Sequence, residues 1–198
     1  MDTFMPDMTQ GPIDERQILE DLRHNPDAFR VLYQRYFPRV FAYTAYRIGR
    51  NQDTEDVVAE TFALVVEKID QFEWRGDGSF AAWLFRIAHS RVQQFYRQRH
   101  VRHVPVPLDD LPEIESHLPS PDQVFADKER FWELRQAIET LSPRKQEIVT
   151  LRFFGTLRNR EIAAVLGLDE RTVAAHLSRA VADLQRLYRS EPEGEGQR

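Results

Sequence analysis

Between Val104 and Ala126 the chain reads VPVPLDDLPEIESHLPSPDQVFA, with five prolines, five acidic residues and neither lysine nor arginine. Proline fixes its own φ, removes a backbone donor and pushes the preceding residue out of the helical region. Pro105, Pro107, Pro112, Pro119 and Pro121 therefore leave no run for a helix, and the stretch reads as an extended, semi-rigid linker. Everything else must fold on one side of it or the other. The division is an acidic N-terminal extension over 1–26, a first block over 27–103, the linker over 104–126, a second block over 127–190 and a disordered tail over 191–198.

Both blocks carry apolar residues at helical spacing. A short helix is expected near 14–23, ending before Asn25-Pro26. Phe29, Leu32, Tyr33, Tyr36, Phe37, Val40, Phe41 and Thr44 mark a second, which Pro38 is expected to kink or interrupt. Val57, Val58, Phe62, Val65, Val66 and Ile69 mark a third, from Thr54, and a loop over 72–78 leads to a fourth. In the second block a helix over 127–141 precedes Ser142-Pro143, read as N-cap and first helical position. The helix so started ends near Phe153, with Gly155 expected to close it. A short helix over 159–166, the turn Gly167-Leu168 and a longer helix from Glu170, capped by Asp169, give a helix-turn-helix layout. The fold class is all-α: two small helical domains joined by an acidic proline-rich linker, the second containing a helix-turn-helix.

The net charge of −5 argues superficially against a nucleic-acid partner. Its distribution reverses that: residues 1–26 are net −4, 27–103 net +3, 104–126 net −5, 127–190 net +3 and 191–198 net −2. Local field, not net charge, steers a partner. The absence of cysteine excludes a disulfide scaffold and a thiolate metal site, and fits a reducing cytoplasm. No signal peptide or membrane-spanning run is expected. His100 and His103 lie among arginines that repel a cation, so no metal is expected there. There is no nucleotide-binding or catalytic-triad motif, hence no expected cofactor and no enzyme signal.

The fourth helix, over 79–103, concentrates the basic character. It holds Arg86, Arg91, Arg97, Arg99 and Arg102 and no acid. Leu84, Ile87, Ala88, Val92 and Phe95 form an apolar stripe, and Trp83, Arg86, Ser90, Gln94 and Arg97 fall on another face, three or four residues apart. Arginines around an aromatic suit phosphate and base contacts; a solvated basic helix with Trp83 in the core fits the same pattern. On the third helix Asp53, Asp56 and Glu60 share a face, as simple capping and solvation would also give. In the second block Arg171, Thr172, Ala175, His176 and Arg179 front the longer helix, where a major groove would meet them. An ordinary helical hairpin would look similar.

Taken together, AFRVLYQRYFPRVF, DTEDVVAETFALVVEKIDQF and FAAWLFRIAHSRVQQFYRQR in the first block, with LSPRKQEIVTLRFF, REIAAVLG and RTVAAHLSRAVADLQRL in the second, resemble a bacterial RNA polymerase sigma factor of the sigma-70 family, extracytoplasmic-function group. The resemblance covers about residues 27–188. It implies a first domain that binds core RNA polymerase and reads and melts the −10 promoter element, and a second that reads the −35 element. Asp53, Asp56 and Glu60 would then dock on the polymerase clamp. Phe72, Trp74 and Ser79, in the loop over 72–79, would capture a flipped base. Trp83 would act as a wedge, with Arg86, Ser90, Arg91 and Arg97 tracking the strand. Arg158, Arg171, Thr172, Ala175, His176 and Arg179 would contact the −35 element. The implied partners are core polymerase, promoter DNA and an anti-sigma factor, in the cytoplasm and without membrane insertion. Where the family usually has Asn, Asp and two cations, this chain has Ser90, Gln94, Ala174 and His176, and it adds Arg171. A stand-alone helix-turn-helix regulator is the alternative, and a sigma-like decoy that binds polymerase without initiating is a third reading. A simple regulator needs neither the acidic third helix nor the segment FAAWLFRIA.

Overall fold

The computed structural model describes residues 15–22, 25, 27–49, 52–99 and 134–190. The linker, the tail, His100, His103 and the expected end of the fourth helix lie outside these residues. The described chain is helical throughout: α1 Glu15–Asp21, α2 Asp27–Ile48, α3 Gln52–Lys68, a 3-10 turn Ile69–Gln71, α4 Ser79–Arg99, α5 over 134–139, α6 Pro143–Phe153, α7 Asn159–Leu166 and α8 Glu170–Ser190.

Helices α2, α3 and α4 form the first domain around Leu32, Tyr36, Val40, Tyr43, Val58, Phe62, Val65, Phe80, Leu84 and Ala88, all essentially buried. Edge-on aromatic pairs fill it, Tyr36 with Phe80 and Tyr43 with Phe85. These arrangements suit the ring quadrupole. Val57, Val58, Phe62 and Val65 of α3 lie inward, but Val66, expected on the same apolar face, is exposed, as are Glu55, Asp56, Ala59 and Glu60. In the second domain α6, α7 and α8 pack around Ile148, Leu151, Leu157, Ile162 and Val173. Ile138, Leu141, Val149 and Ala180 form a smaller cluster beside them.

Two expectations, at Pro38 and Gly155, are corrected, and the one at Ser142-Pro143 is met. Pro38 does not interrupt α2, which is helical from Asp27 to Ile48. Its missing N–H would have reached the carbonyl of Gln34, and both residues are exposed, so water can satisfy the freed acceptor. Ser142 sits at the N-cap of α6 with Pro143 in the first turn, but its side chain makes no capping bond. Gly155 is not the left-handed residue that ends α6; that role falls to Thr156, at φ 50°. Gly155 is needed for space instead: a Cβ there would lie 2.7 Å from the Leu151 carbonyl oxygen and 2.9 Å from Phe85 of α4. Gly167 does take the left-handed conformation, φ 65°, as the C-cap of α7, as its missing side chain permits.

Candidate polymerase and nucleic-acid interfaces

The acidic face of α3 is open. Asp56 and Glu60 are exposed and Asp53 is half-buried. They line a cleft of about 280 Å³ together with Val57, Arg91, Gln94, Phe95 and Gln98. Arg91 therefore stands on the α3 side of α4, its Nη1 3.9 Å from Glu60 Oε2. Trp83 sits in an aromatic cluster, its ring centroid 5.3 Å from Phe72 and 5.9 Å from Phe80. It remains half-buried rather than enclosed. The two readings of Trp83, core and surface, are thus both partly realised.

The loop before α4 is built by local bonds. Gly76 and Gly78 both have positive φ, 102° and 81°, a conformation that side chains resist. Ser79 Oγ accepts the Arg75 N–H at 3.2 Å, which folds the loop back onto the start of α4. Phe72 and Trp74 line an adjacent cleft of about 320 Å³ with Arg16, Leu19, Glu20, Leu22, Ile69 and Asp70. The wall from α1 was not expected. The signal was present in the spacing of Ile18, Leu19 and Leu22, all partly buried against the core. Glu15 anchors α1 by accepting the Tyr36 hydroxyl at 2.5 Å. Along α4, Arg86, Ser90 and Arg97 are exposed. The Arg86 guanidinium nevertheless reaches across to the second domain, donating to the Ala164 carbonyl at 2.7 Å.

In the helix-turn-helix, Asp169 precedes α8 and accepts two bonds from Thr172. The Thr172 N–H donates to Oδ1 at 2.7 Å and its hydroxyl to Oδ2 at 2.6 Å. The expected cap is formed, and the Thr172 hydroxyl proton is committed to it. Arg171, Ala175 and Arg179 are exposed on the front of α8, with His176 half-buried among them. Arg158 lies apart from that front. It lines a polar cleft with Glu15, Arg35, Arg39 and Glu161, and its N–H donates to Glu161 Oε2 at 2.8 Å.

The hydroxyl and backbone bonds from Thr172 hold the Asp169 carboxyl below the ordinary aspartate range. A depressed carboxylate contributes above its unfolded pKa and loses that contribution as pH falls through the folded value. The cap is therefore intact at neutral pH and lost on acidification below the ordinary range. Asp169→Ala is expected to lower the melting temperature at pH 7 and to flatten the acid limb of the stability–pH curve. An unchanged acid limb, measured by thermal melts from pH 3 to 7, would contradict this.

Comparison with known proteins places these surfaces in a family. The description of Sigma-70 region 2 matches residues 32–102, and that of Sigma-70 region 4 matches residues 131–184. The RNA polymerase sigma factor CnrH of Cupriavidus metallidurans is 30% identical over 147 residues, 71% of this chain and 76% of its own length. This chain belongs to the sigma-70 family of RNA polymerase sigma factors, in the extracytoplasmic-function group. The factor BldN of Streptomyces coelicolor is 33% identical over 161 residues, covering 81% of this chain; the match spans 60% of BldN's length. The solved structure of CnrH in complex with the cytosolic domain of CnrY superposes with a TM-score of 0.63 at 25% identity, over 89% of this chain and 97% of CnrH. RpoE of Bartonella quintana, solved in complex with the anti-sigma factor NepR, shares the fold at a TM-score of 0.60 and 21% identity, over 82% of this chain and 98% of its own. Sigma factors are initiation factors rather than enzymes, and two matched regions in one chain separate this protein from a stand-alone regulator. Among the described residues no helix is long and apolar enough to cross a membrane.

Proposed function

We propose that this sigma factor binds core RNA polymerase through Asp53, Asp56 and Glu60, and reads two promoter elements with its two domains. Residues 27–103 form the polymerase- and −10-binding domain, 104–126 the linker and 127–190 the −35-binding domain. The observation that carries the reading is the pairing, in one chain, of regions 2 and 4 at 32–102 and 131–184. The acidic stripe on α3 supports the docking role, because Asp56 and Glu60 are exposed while Val58, Phe62 and Val65 are buried inside the domain. Phe72 and Trp74 line the loop cleft where a flipped base would stack, offsetting the few kcal/mol that unstacking costs, and Ser79 holds the loop through the Arg75 N–H. Trp83, Arg86, Ser90 and Arg97 follow on α4; Arg91 would act from the edge nearest α3. Arg171 and Arg179 are the exposed cations of α8, with Thr172, Ala175 and His176 between them and Arg158 serving a neighbouring phosphate. An anti-sigma factor is a proposed partner, since CnrH and RpoE were solved with CnrY and NepR. The proposed location is the cytoplasm, where the polymerase is.

Arg171→Ala tests the second half of this reading. On promoters recovered by run-off from genomic DNA, it is expected to cost ~1–3 kcal/mol of promoter affinity and to relax base preference in the −35 element. Affinity for core polymerase should stay unchanged. An unaltered −35 preference in a randomised-element selection would remove Arg171 from the base-reading set.

A further inference from the structure

The cleft beside the base-capture loop has a wall that belongs neither to the loop nor to α4. Phe72 and Trp74 line it from the loop, and Arg16, Leu19, Glu20 and Leu22 line it from α1. Its volume, about 320 Å³, lies at the lower end of small-ligand sites, ~300–1,000 Å³, and gives room for one heterocycle.

Helix α1 is fastened in place. Ile18, Leu19 and Leu22 are partly buried against the core. Glu15 accepts the hydroxyl of the buried Tyr36 and lies 3.9 Å from Arg35 Nη1. At the other end the Asn25 N–H donates to the Asp21 carbonyl at 2.8 Å. Asn25 Oδ1 in turn accepts the Asp27 N–H, at the start of α2, at 3.0 Å. A short helix held at both ends presents its side chains at defined positions.

The side chains it presents to the cleft are two leucines and an ion pair. Arg16 and Glu20 stand one turn apart, both exposed, with Nε 2.9 Å from Oε1. An exposed pair of this kind contributes little to stability, so folding does not account for its place on the rim. Asp70, also exposed, lines the same cleft. The rim therefore carries two carboxylates and one guanidinium, and the guanidinium is already bonded to one of them. Acceptors outnumber donors. A carboxylate accepts from the exocyclic amino group of a base. Adenine, cytosine and guanine each carry one; thymine has none and turns carbonyl oxygens outward, which a carboxylate repels. Phe72 joins this cleft to the aromatic cluster of α4. Its ring stands edge-on to Phe80, 5.5 Å between centroids, and 5.3 Å from Trp83. A base stacked on Phe72 or Trp74 in the cleft would lie next to the proposed wedge and against α1.

We propose that α1 is part of the −10 reader. Leu19 and Leu22 close the cleft on a base flipped into it, and Glu20, with Arg16 and Asp70 beside it, selects a base that carries an exocyclic amino group over thymine. That role rests on the assignment of Phe72 and Trp74 to base capture.

Glu20 is exposed, so Glu20→Lys and Glu20→Gln should fold and melt like the parent. Each full-length chain is assembled with core RNA polymerase and transcribes a promoter library randomised in the −10 element. The parent should favour an amino-bearing base over thymine by ~fivefold or more at one −10 position, the scale of a good edge contact. Glu20→Lys replaces an acceptor by a donor and should erase or reverse that preference there, leaving the other −10 positions and the −35 element unchanged. Glu20→Gln keeps an acceptor oxygen without the charge and should retain part of the preference. A −10 preference identical in the parent and both variants would overturn the proposal, as would a loss spread evenly over all −10 positions, which marks a structural effect. Trp74→Ala separates this from the reading beneath it. If it abolishes preference at a position that Glu20→Lys leaves intact, only the role of α1 fails. If it too changes no −10 position, the base-capture assignment fails as well.

Discussion

Replacing both Asp56 and Glu60 by lysine is expected to weaken binding to core RNA polymerase by ~100-fold or more, equivalent to ~3 kcal/mol, while the helical fold is retained. Both side chains are exposed, and the buried Val58, Thr61, Phe62 and Val65 lie on the other side of α3. The pair therefore contributes little to the domain itself. The Glu60–Arg91 pair is long, at 3.9 Å, with Glu60 exposed and Arg91 half-buried; such surface pairs are worth ~0–1 kcal/mol, so losing this one cannot mimic the predicted effect. A docking role concentrates the consequence at the interface, where a lysine facing a basic partner adds repulsion to lost attraction. Glu55→Lys is the matched control: it is exposed on the same helix but outside the cleft lined by Asp53, Asp56 and Glu60. A loss under threefold for the double variant, or an equal loss for the control, in a competition assay against labelled parent protein, would move the docking face elsewhere.

Phe85→Ala is expected to destabilise the protein by ~3–5 kcal/mol, the range for emptying a buried aromatic site. Phe85 is fully buried. Its ring meets Tyr43 edge-on at 5.8 Å and carries the Arg39 guanidinium 5.6 Å from its centroid. It also abuts Gly155 of the second domain. Truncation therefore opens a cavity where the two domains meet. Phe85→Leu retains most of the volume and should cost ~1.5 kcal/mol or less. Urea unfolding distinguishes the outcomes, and a loss below 1 kcal/mol for the alanine variant would show that the interdomain core is not formed in solution.

How much of this was legible beforehand follows from the range of each interaction. Helical spacing, the cap at Asp169 and the turn at Gly167 are local, and they place α1, α3, α6, α7 and α8 within a few residues of their ends. The acidic stripe on α3 was visible for the same reason. Tertiary context decided the rest. Pro38 reads as a breaker, yet it falls on the exposed side of a helix whose other face is held by Leu32, Tyr36, Val40 and Tyr43. Gly155 reads as a helix terminator, but its partner is Phe85, seventy positions earlier. Arg91 and Arg86 look alike in a basic segment; one turns to Glu60 and the other to Ala164. No periodicity links Arg39 to Gly155 across 116 positions, so the bond from the Arg39 guanidinium to the Gly155 carbonyl shows only in the folded chain. A spacing of i, i+3, i+4 specifies a face but not what that face meets.

The central claim is that this chain confers promoter choice on RNA polymerase. It is tested most directly by in vitro transcription with purified core enzyme, the full-length protein and a genomic promoter library, sequencing the 5′ ends of the transcripts. Run-off products are expected from a defined set of start sites, each preceded by a common pair of elements at −10 and −35. Those products should disappear with the Asp56→Lys/Glu60→Lys variant. Stable binding to core enzyme without defined start sites would contradict the claim.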